Sequence, residues 1–289
     1  MAMDDRSFAS LLRDLATESA ELANALRRLS AAEWLLATPA AGWDIHDQVV
    51  HLAFFGDLAL LGFTDPEGFG AAADELRAAG PDWVDVTNAQ RTALAPDDTL
   101  RWFTDSHAAL GRVLAEAGPG ARTAWFGPSM SAASAATARL METWAHGQDV
   151  YDALGLEHQA TDRVRHVCHL GVITRGFAYE LRGRGAPPED VRVELLAPGG
   201  GRWAWGPADA ADRITGSAND FALVVTQRRH RADTALRATP GAAEDWLGVA
   251  QAFAGAPGGG RLPGQFSGRQ AGQPTGQLTG QLTEDEGSQ

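Results

Sequence analysis

Apolar residues recur at helical spacing over residues 7–29, where Phe8, Leu11, Leu12, Leu15, Leu22, Leu26 and Leu29 share one face and polar residues fill the other. The pattern predicts an amphipathic first helix. Ser30, with Glu33 three positions on, is a capping-box signature for a short helix holding Trp34, after which Pro39 and Gly42 break the chain. Asp44 is placed to cap a second long helix whose core face carries Ile45, Gln48, Val49, Leu52, Leu58 and Leu61, with Asp65-Pro66 as its end. Short helical pieces fill residues 69–95. Asp97 or Asp98 is the expected cap of a third long helix through Leu100, Phe103, Leu110, Val113 and Leu114, a loop covers 118–127, and a fourth helix runs from about 131 to 154. Four long helices on short connections predict an antiparallel bundle.

The period changes after Gly155. Residues 161–181 keep helical spacing and are expected as one bridging helix. Beyond them Val191, Val193 and Leu195 alternate with polar residues, 198–201 is a turn, and Trp203 and Trp205 alternate on the return, which is the pattern of a hairpin. Residues 212–216 and 234–238 are further strand candidates, while 219–227 and 242–253 are helical, so the second half reads as α+β. From Gly255 the composition turns to Gly, Pro, Gln and Thr, which offers too little apolar surface to offset the entropy of ordering it. A tail over 257–289 without fixed structure or catalytic role is the expectation.

Composition narrows the function. The 289 residues are 44% apolar, enough for a proper core, and no run nears the roughly 18 uninterrupted apolar residues of a membrane helix. The chain begins Met-Ala-Met-Asp-Asp-Arg, without a basic start and apolar stretch, so a cytoplasmic protein with no membrane partner is expected, as a monomer or homodimer. A net charge of -13 argues against nucleic acid as a partner, because phosphate-backbone affinity needs clustered cations. All 24 basic residues are arginine, which fits a GC-rich genome and removes lysine chemistry. Cys168 is the single cysteine, so a metal would have to rely on imidazole and carboxylate ligands.

Such ligands are available. Glu142 and His146 stand at i, i+4 on the fourth helix, which sets their side chains about 6 Å apart on one face. His51, mid-helix beside the apolar face of the second helix, can supply a third ligand, and two histidines with one carboxylate leave positions open for water or substrate. The same spacing also fits an intrahelical pair and a satisfied core histidine. Asp47 and Asp149 each lie within a turn of a proposed ligand and can orient an imidazole, although helix capping or solvation is the competing role. Arg228, Arg229 and Arg231 around His230 suggest either a solvated face or an anion site, and His166 and His169 around Cys168 fit structural roles better than a second metal site. His107, His158 and His230 have no partner identifiable from sequence. Nucleophile elbow, phosphate loop and dinucleotide fingerprint are all missing from the sequence.

The segments Gly42-Trp43-Asp44 through Asp47 to His51-Leu52, and Glu142-Thr-Trp-Ala-His146-Gly-Gln-Asp149, resemble the mycothiol-dependent maleylpyruvate isomerase group of the DinB-like metal-binding proteins. The resemblance extends over about residues 5–260, and Trp125-Phe-Gly-Pro-Ser-Met with Val225-Thr-Gln-Arg-Arg-His-Arg is similar to an actinobacterial branch described only as metal-binding. It implies a DinB-like four-helix bundle at 1–157 and a small sterol-carrier-like α+β domain at 158–256, with 158–183 as the bridging helix. It implies His51, Glu142 and His146 as ligands of zinc, with iron, nickel and manganese as alternatives, and mycothiol as a thiol cosubstrate. Arg228 occupies the position of an arginine near the active-site mouth, preceded here by Gln227 where a glycine is common. With Asp47 and Asp149 it completes the expected catalytic set. The activity implied is that of a zinc-dependent thiol transferase or isomerase acting on a small electrophilic metabolite. The alternatives are a thiol-independent metal hydrolase, lyase or cyclase, and a non-catalytic small-ligand carrier with a structural metal.

Overall fold

The computed structural model describes residues 3–80, 82–91 and 93–266. Helix α1 (Asp5–Leu26) is capped by the Asp4 side chain and buries Phe8, Leu11, Leu15, Leu22 and Leu26, the face the periodicity predicts. A 3-10 turn at Glu33–Leu35 follows, and the Ser30–Glu33 capping box closes on itself, with Glu33 Oε2 accepting from the Ser30 N–H at 2.7 Å. Helix α2 (Ile45–Thr64) opens on a second capping box, Asp44 with Asp47, and is buried on most of its circumference. Two short helices, α3 (Pro66–Ala78) and α4 (Trp83–Arg91), lead to α5 (Pro96–Ala117). Its first residue is Pro96 and its cap position is Ala95 with no side-chain bond, so neither Asp97 nor Asp98 caps it. Proline at the first position already has helical φ and needs no acceptor there, which places both carboxylates inside the first turn.

A two-residue ribbon pairs β1 (Arg122–Thr123), inside the stretch expected as loop, antiparallel to β2 (Met130–Ser131), which lies between that stretch and the fourth helix. Helix α6 (Ala132–Leu154) starts on the Ser131 cap and stops at Gly155, whose φ of +67° is the left-handed stop that glycine allows. Helix α1 packs on α5 and α6, and α2 packs on the same two, closing the four-helix bundle.

The second half is α+β. The bridging segment is two helices, α7 (Val164–Ile173) and α8 (Arg175–Glu180), because the Thr174 hydroxyl donates back to the Leu170 carbonyl and the backbone turns there. Strands β3 (Val191–Leu196) and β4 (Arg202–Trp205) form the expected hairpin, turned at Gly200, and β5 (Asp212–Ser217) pairs parallel to β3. Helix α9 (Ala218–Val225) follows, then β6 (Arg237–Ala238) on the far edge, shorter than the 234–238 candidate because a 3-10 turn at Arg231–Asp233 precedes it. Helix α10 (Ala242–Val249) ends before Phe253. The strand order is β4-β3-β5-β6. One hydrophobic cluster runs from Leu11 and Leu140 in the bundle through Val167 of α7 to Val193, Phe221 and Trp246 over the sheet.

The ordered chain continues past 256. Arg182 donates to the Gly258 carbonyl at 3.0 Å, the Gly264 N–H donates to Asp233 at 2.8 Å, and the Arg229 guanidinium lies 3.7 Å over the Phe266 ring. Polar and ionic contacts hold 257–266, which apolar patterning does not register. The rest of the expected tail, 267–289, lies outside the described residues. No helix among the described residues is long and apolar enough to cross a membrane.

Candidate metal centre

Packing of α2 on α6 brings His51 against Glu142 and His146. His146 Nε2 stands 3.2 Å and His51 Nε2 4.0 Å from the same Glu142 oxygen, and the two imidazole centroids are 4.4 Å apart. One ligand atom from each residue lies within 4.8 Å of the others. Tetrahedral ligands at metal-bond lengths stand about 3.4 Å from one another, so a small contraction makes this an N,N,O site for a borderline divalent ion.

The hydrogen bonds around His146 fix its tautomer. The Thr38 hydroxyl donates its single proton to the Trp43 carbonyl at 2.9 Å, so toward Gln48 it only accepts, and Gln48 Nε2 donates to it at 2.8 Å. Gln48 Oε1 therefore faces His146 Nδ1, 2.5 Å away, and that nitrogen carries the proton. Nε2 is left with a lone pair directed at Glu142. Burial holds His146 below the ordinary histidine range, so it is neutral at pH 7. Burial pushes Glu142 up, and the Arg139 guanidinium one turn away acts against that in favour of the carboxylate. A carboxylate oxygen and an imidazole lone pair thus face each other at 3.2 Å, an arrangement of two acceptors that a cation between them resolves. His51 is also held neutral by burial, and its Nδ1 is buried with no hydrogen-bond partner.

Aromatic rings close the site. Trp43, anchored by its Nε1–H on Asp85 at 2.8 Å, stacks 6.0 Å from His146 and lies 5.2 Å from His51, while Phe55 packs 4.5 Å from His51 on the other side. The ligands open into a cavity of about 950 Å³, bounded by Phe55, Phe63, Trp83, Trp125, Phe126 and Phe177.

The other expected site residues are used differently. The Asp47 carboxylate accepts the Asp44 N–H at 3.0 Å in the α2 capping box and makes no bond to His51. A first-turn carboxylate is satisfied by the helix's own N–H groups, and that contact wins here. Asp149 is fully buried but does not orient His146, whose Nδ1 belongs to Gln48. It pairs instead with Arg228 at 3.0 Å and Arg261 at 2.5 Å. Arg228 does reach the cavity wall, yet its guanidinium is committed to Asp149, to the Ala145 carbonyl at 3.1 Å and to the Thr226 carbonyl at 2.8 Å. The arginine cluster is divided, with Arg229 on Asp152 and Arg231 on Glu244. Gln227 before it has a φ of 59°, the left-handed conformation that explains why glycine suits this position.

The remaining histidines have structural partners: His46 with Thr99, His107 with the Phe103 carbonyl, His158 with Glu18, His166 with Asp14, His169 with Trp205, and His230 with the Ala232 N–H. Cys168 is buried, which pushes its thiol up out of the reactive range. Three residues escaped the sequence reading as site residues. Gln48 is expected on a core face, Trp43 enters only within the resembling segment, and Arg139, one turn before Glu142 on the same stripe of α6, is not singled out. The detectable signals were a glutamine within an apolar face one turn from His51 and a lone arginine in line with two ligands.

The chain is similar to several known proteins. A family model for the mycothiol maleylpyruvate isomerase N-terminal domain matches residues 15–151, and one for wyosine base formation matches 187–239. Uncharacterized proteins from two strains of Mycobacterium tuberculosis, H37Rv and CDC 1551, are each 45% identical over 248 residues, covering 86% of this chain and 96% of theirs. Crystal structures of the mycothiol-dependent maleylpyruvate isomerase and of its histidine-to-alanine mutant superpose with a TM-score of 0.54 at 17% identity, covering 81% of this chain and 93% of that one.

Proposed function

Because the chain belongs to the maleylpyruvate isomerase-like, DinB-like family, we propose that it is a metal-dependent enzyme using mycothiol to transfer to, or isomerise, a small electrophilic molecule. His51, Glu142 and His146 would hold the metal, with zinc the best match to two imidazoles and a carboxylate. The observation that carries this reading is the Glu142 oxygen facing the unprotonated Nε2 of His146 at 3.2 Å. A bound divalent ion would supply a Lewis acid that makes a thiol a thiolate at neutral pH.

The protein's own groups prepare that chemistry. Gln48 holds the His146 tautomer, Trp43 and Phe55 keep bulk water from the ligands, and the Asp149–Arg228 pair ties the second half of the chain to α6 one turn beyond His146. In an isomerisation the thiolate sulfur bonds to one carbon of a conjugated double bond and the electron pair moves to the attached carbonyl. Rotation about the new single bond and expulsion of the thiolate then return the isomer with no change in atoms.

The test is turnover of candidate electrophiles by untagged protein with and without mycothiol, beside metal analysis of the same sample. Mycothiol-dependent conversion with one zinc per chain supports the reading; conversion that ignores mycothiol replaces it with a thiol-independent hydrolase, lyase or cyclase. The size of the cavity favours one further reading, a carrier with a structural metal, in which His51→Ala costs folding and no turnover is ever found.

A further inference from the structure

Arg139 lies on α6 in line with Glu142 and His146, and its side chain lines the cavity. The residue is only 4% exposed, and its Nη1 is buried with no hydrogen-bond partner. Among the described residues no carboxylate forms a direct ion pair with it, and its Cζ lies 5.9 Å from the face of Phe55. Guanidinium stays charged in proteins; the Glu142 carboxylate one turn on balances that charge through space but does not bond it, and a buried N–H donor without an acceptor is unfavourable. The chain otherwise pairs its buried arginines: Arg163 with Glu18, Arg228 with Asp149, Arg229 with Asp152. Arg139 has no such pair, and it lines a cavity.

The wall above it is aromatic. Phe55 is 5.6 Å from Trp83 and 6.3 Å from Phe126, Trp83 stacks on Phe126 at 5.3 Å, and Trp125 meets Phe55 at 6.4 Å. This ring shell begins at a candidate ligand, since Phe55 also touches His51. A cavity of about 950 Å³ is at the upper end of the roughly 300–1,000 Å³ of drug-sized sites, far beyond what a short acid fills. The rings of this lobe offer a large apolar contact surface that suits a ring-bearing ligand better than a short acid.

We propose that the electrophile is a bulky aromatic monoanion, its acidic group paired with Arg139 and its ring body held between Phe55, Trp83, Trp125 and Phe126. Arg139 is then the specificity-determining residue of the site. This rests on the enzyme reading only for the reaction that follows binding, so the test reads binding alone.

Metal-replete full-length protein is titrated with 2-naphthoate, its neutral isostere 2-naphthamide, and maleate, by calorimetry without mycothiol. The expected result is at least tenfold tighter binding of naphthoate than of maleate, and at least fivefold tighter than of naphthamide. Arg139→Gln should abolish the preference for acid over amide while leaving the amide's Kd unchanged, and Arg139→Lys should keep part of it. Phe126→Ala should weaken both naphthyl probes by the same factor. Maleate binding as tightly as naphthoate overturns the aromatic assignment. Equal acid and amide affinities in the unaltered protein, or an acid preference that survives Arg139→Gln, overturns the anchor. The unaltered protein alone can decide, so a poorly folding variant does not protect the proposal. Mycothiol-dependent turnover of a short acid without naphthoate binding would sink this inference and leave the enzyme reading standing.

Discussion

Gln48 accepts the Nδ1 proton of His146 at 2.5 Å, and that bond settles which imidazole nitrogen is free to meet Glu142. The two residues are 98 positions apart, so the tautomer of a helix-six histidine is set from helix two. Outer contacts of this kind usually change metal affinity by about 10–100-fold. Gln48→Leu should weaken zinc binding within that range in competition with a chromophoric chelator, while Gln48→Glu, which still accepts the proton, should stay within a few-fold. Unchanged affinity in Gln48→Leu would remove this residue from the site.

Losing a ligand should act more sharply than losing its support. Glu142→Gln and His146→Ala should each purify with only trace zinc where the unaltered protein carries stoichiometric metal, with a far-ultraviolet dichroism spectrum that stays helical. The bundle core of Leu11, Leu110, Leu140 and Trp144 does not pass through the ligands, so helix content should survive. Full zinc occupancy in Glu142→Gln would contradict the three-ligand site.

Acid should destabilise the protein through His107. Burial lowers it to about 3, against 6.5 for an exposed histidine. Above pH 6.5 neither state binds the proton; as pH falls from 6.5 toward 3 the unfolded chain takes it up and the native state does not, so stability is lost across that window. The loss for this group is on the order of a few kcal/mol by pH 3. His107→Gln should flatten the fall in Tm between pH 6.5 and 5; a slope equal to that of the unaltered protein would assign the sensitivity elsewhere.

Asp149 should matter for stability. One carboxylate, fully buried, serves Arg228 and Arg261. Asp149→Asn leaves two arginines facing a neutral amide, and breaking a buried pair costs about 3–5 kcal/mol. Arg261→Ala leaves Asp149 one partner and should cost less, about 1–3 kcal/mol. Urea midpoints at fixed m-value test both, and an Arg261→Ala protein as stable as the unaltered one would show that the Arg261–Asp149 pair contributes nothing to the fold.

Much of the bundle was legible because amphipathic helices carry their own period and caps: Phe8 to Leu26, Asp44 and Ser131 all act as their spacing suggests. The candidate ligand trio was legible in part, since Glu142 and His146 share a local stripe and His51 borders the apolar face of another helix, but only packing across the fold brings them together. What local pattern hides is contact made across the fold. Asp47 and Asp149 stood equally near a ligand in sequence, yet one went to a helix cap and the other to two arginines from the far half of the chain. The segment after 256 was missed for the same reason, because Arg261 has an ionic partner 112 positions away and no apolar signature.

That Asp149 node also sets an order of assembly. The ligand-bearing helix leaves the ribosome long before its arginines do: Ala145 precedes Arg228 by 83 positions and Asp149 precedes Arg261 by 112. Until those side chains arrive, the Asp149 carboxylate keeps its hydration, and the end of the helix beyond His146 cannot be drawn into a dry interior. The candidate ligands His51, Glu142 and His146 are therefore all synthesised before the arginines that close this end of the helix, which would leave them open to water, and to a metal ion, while residues 147–261 are being added.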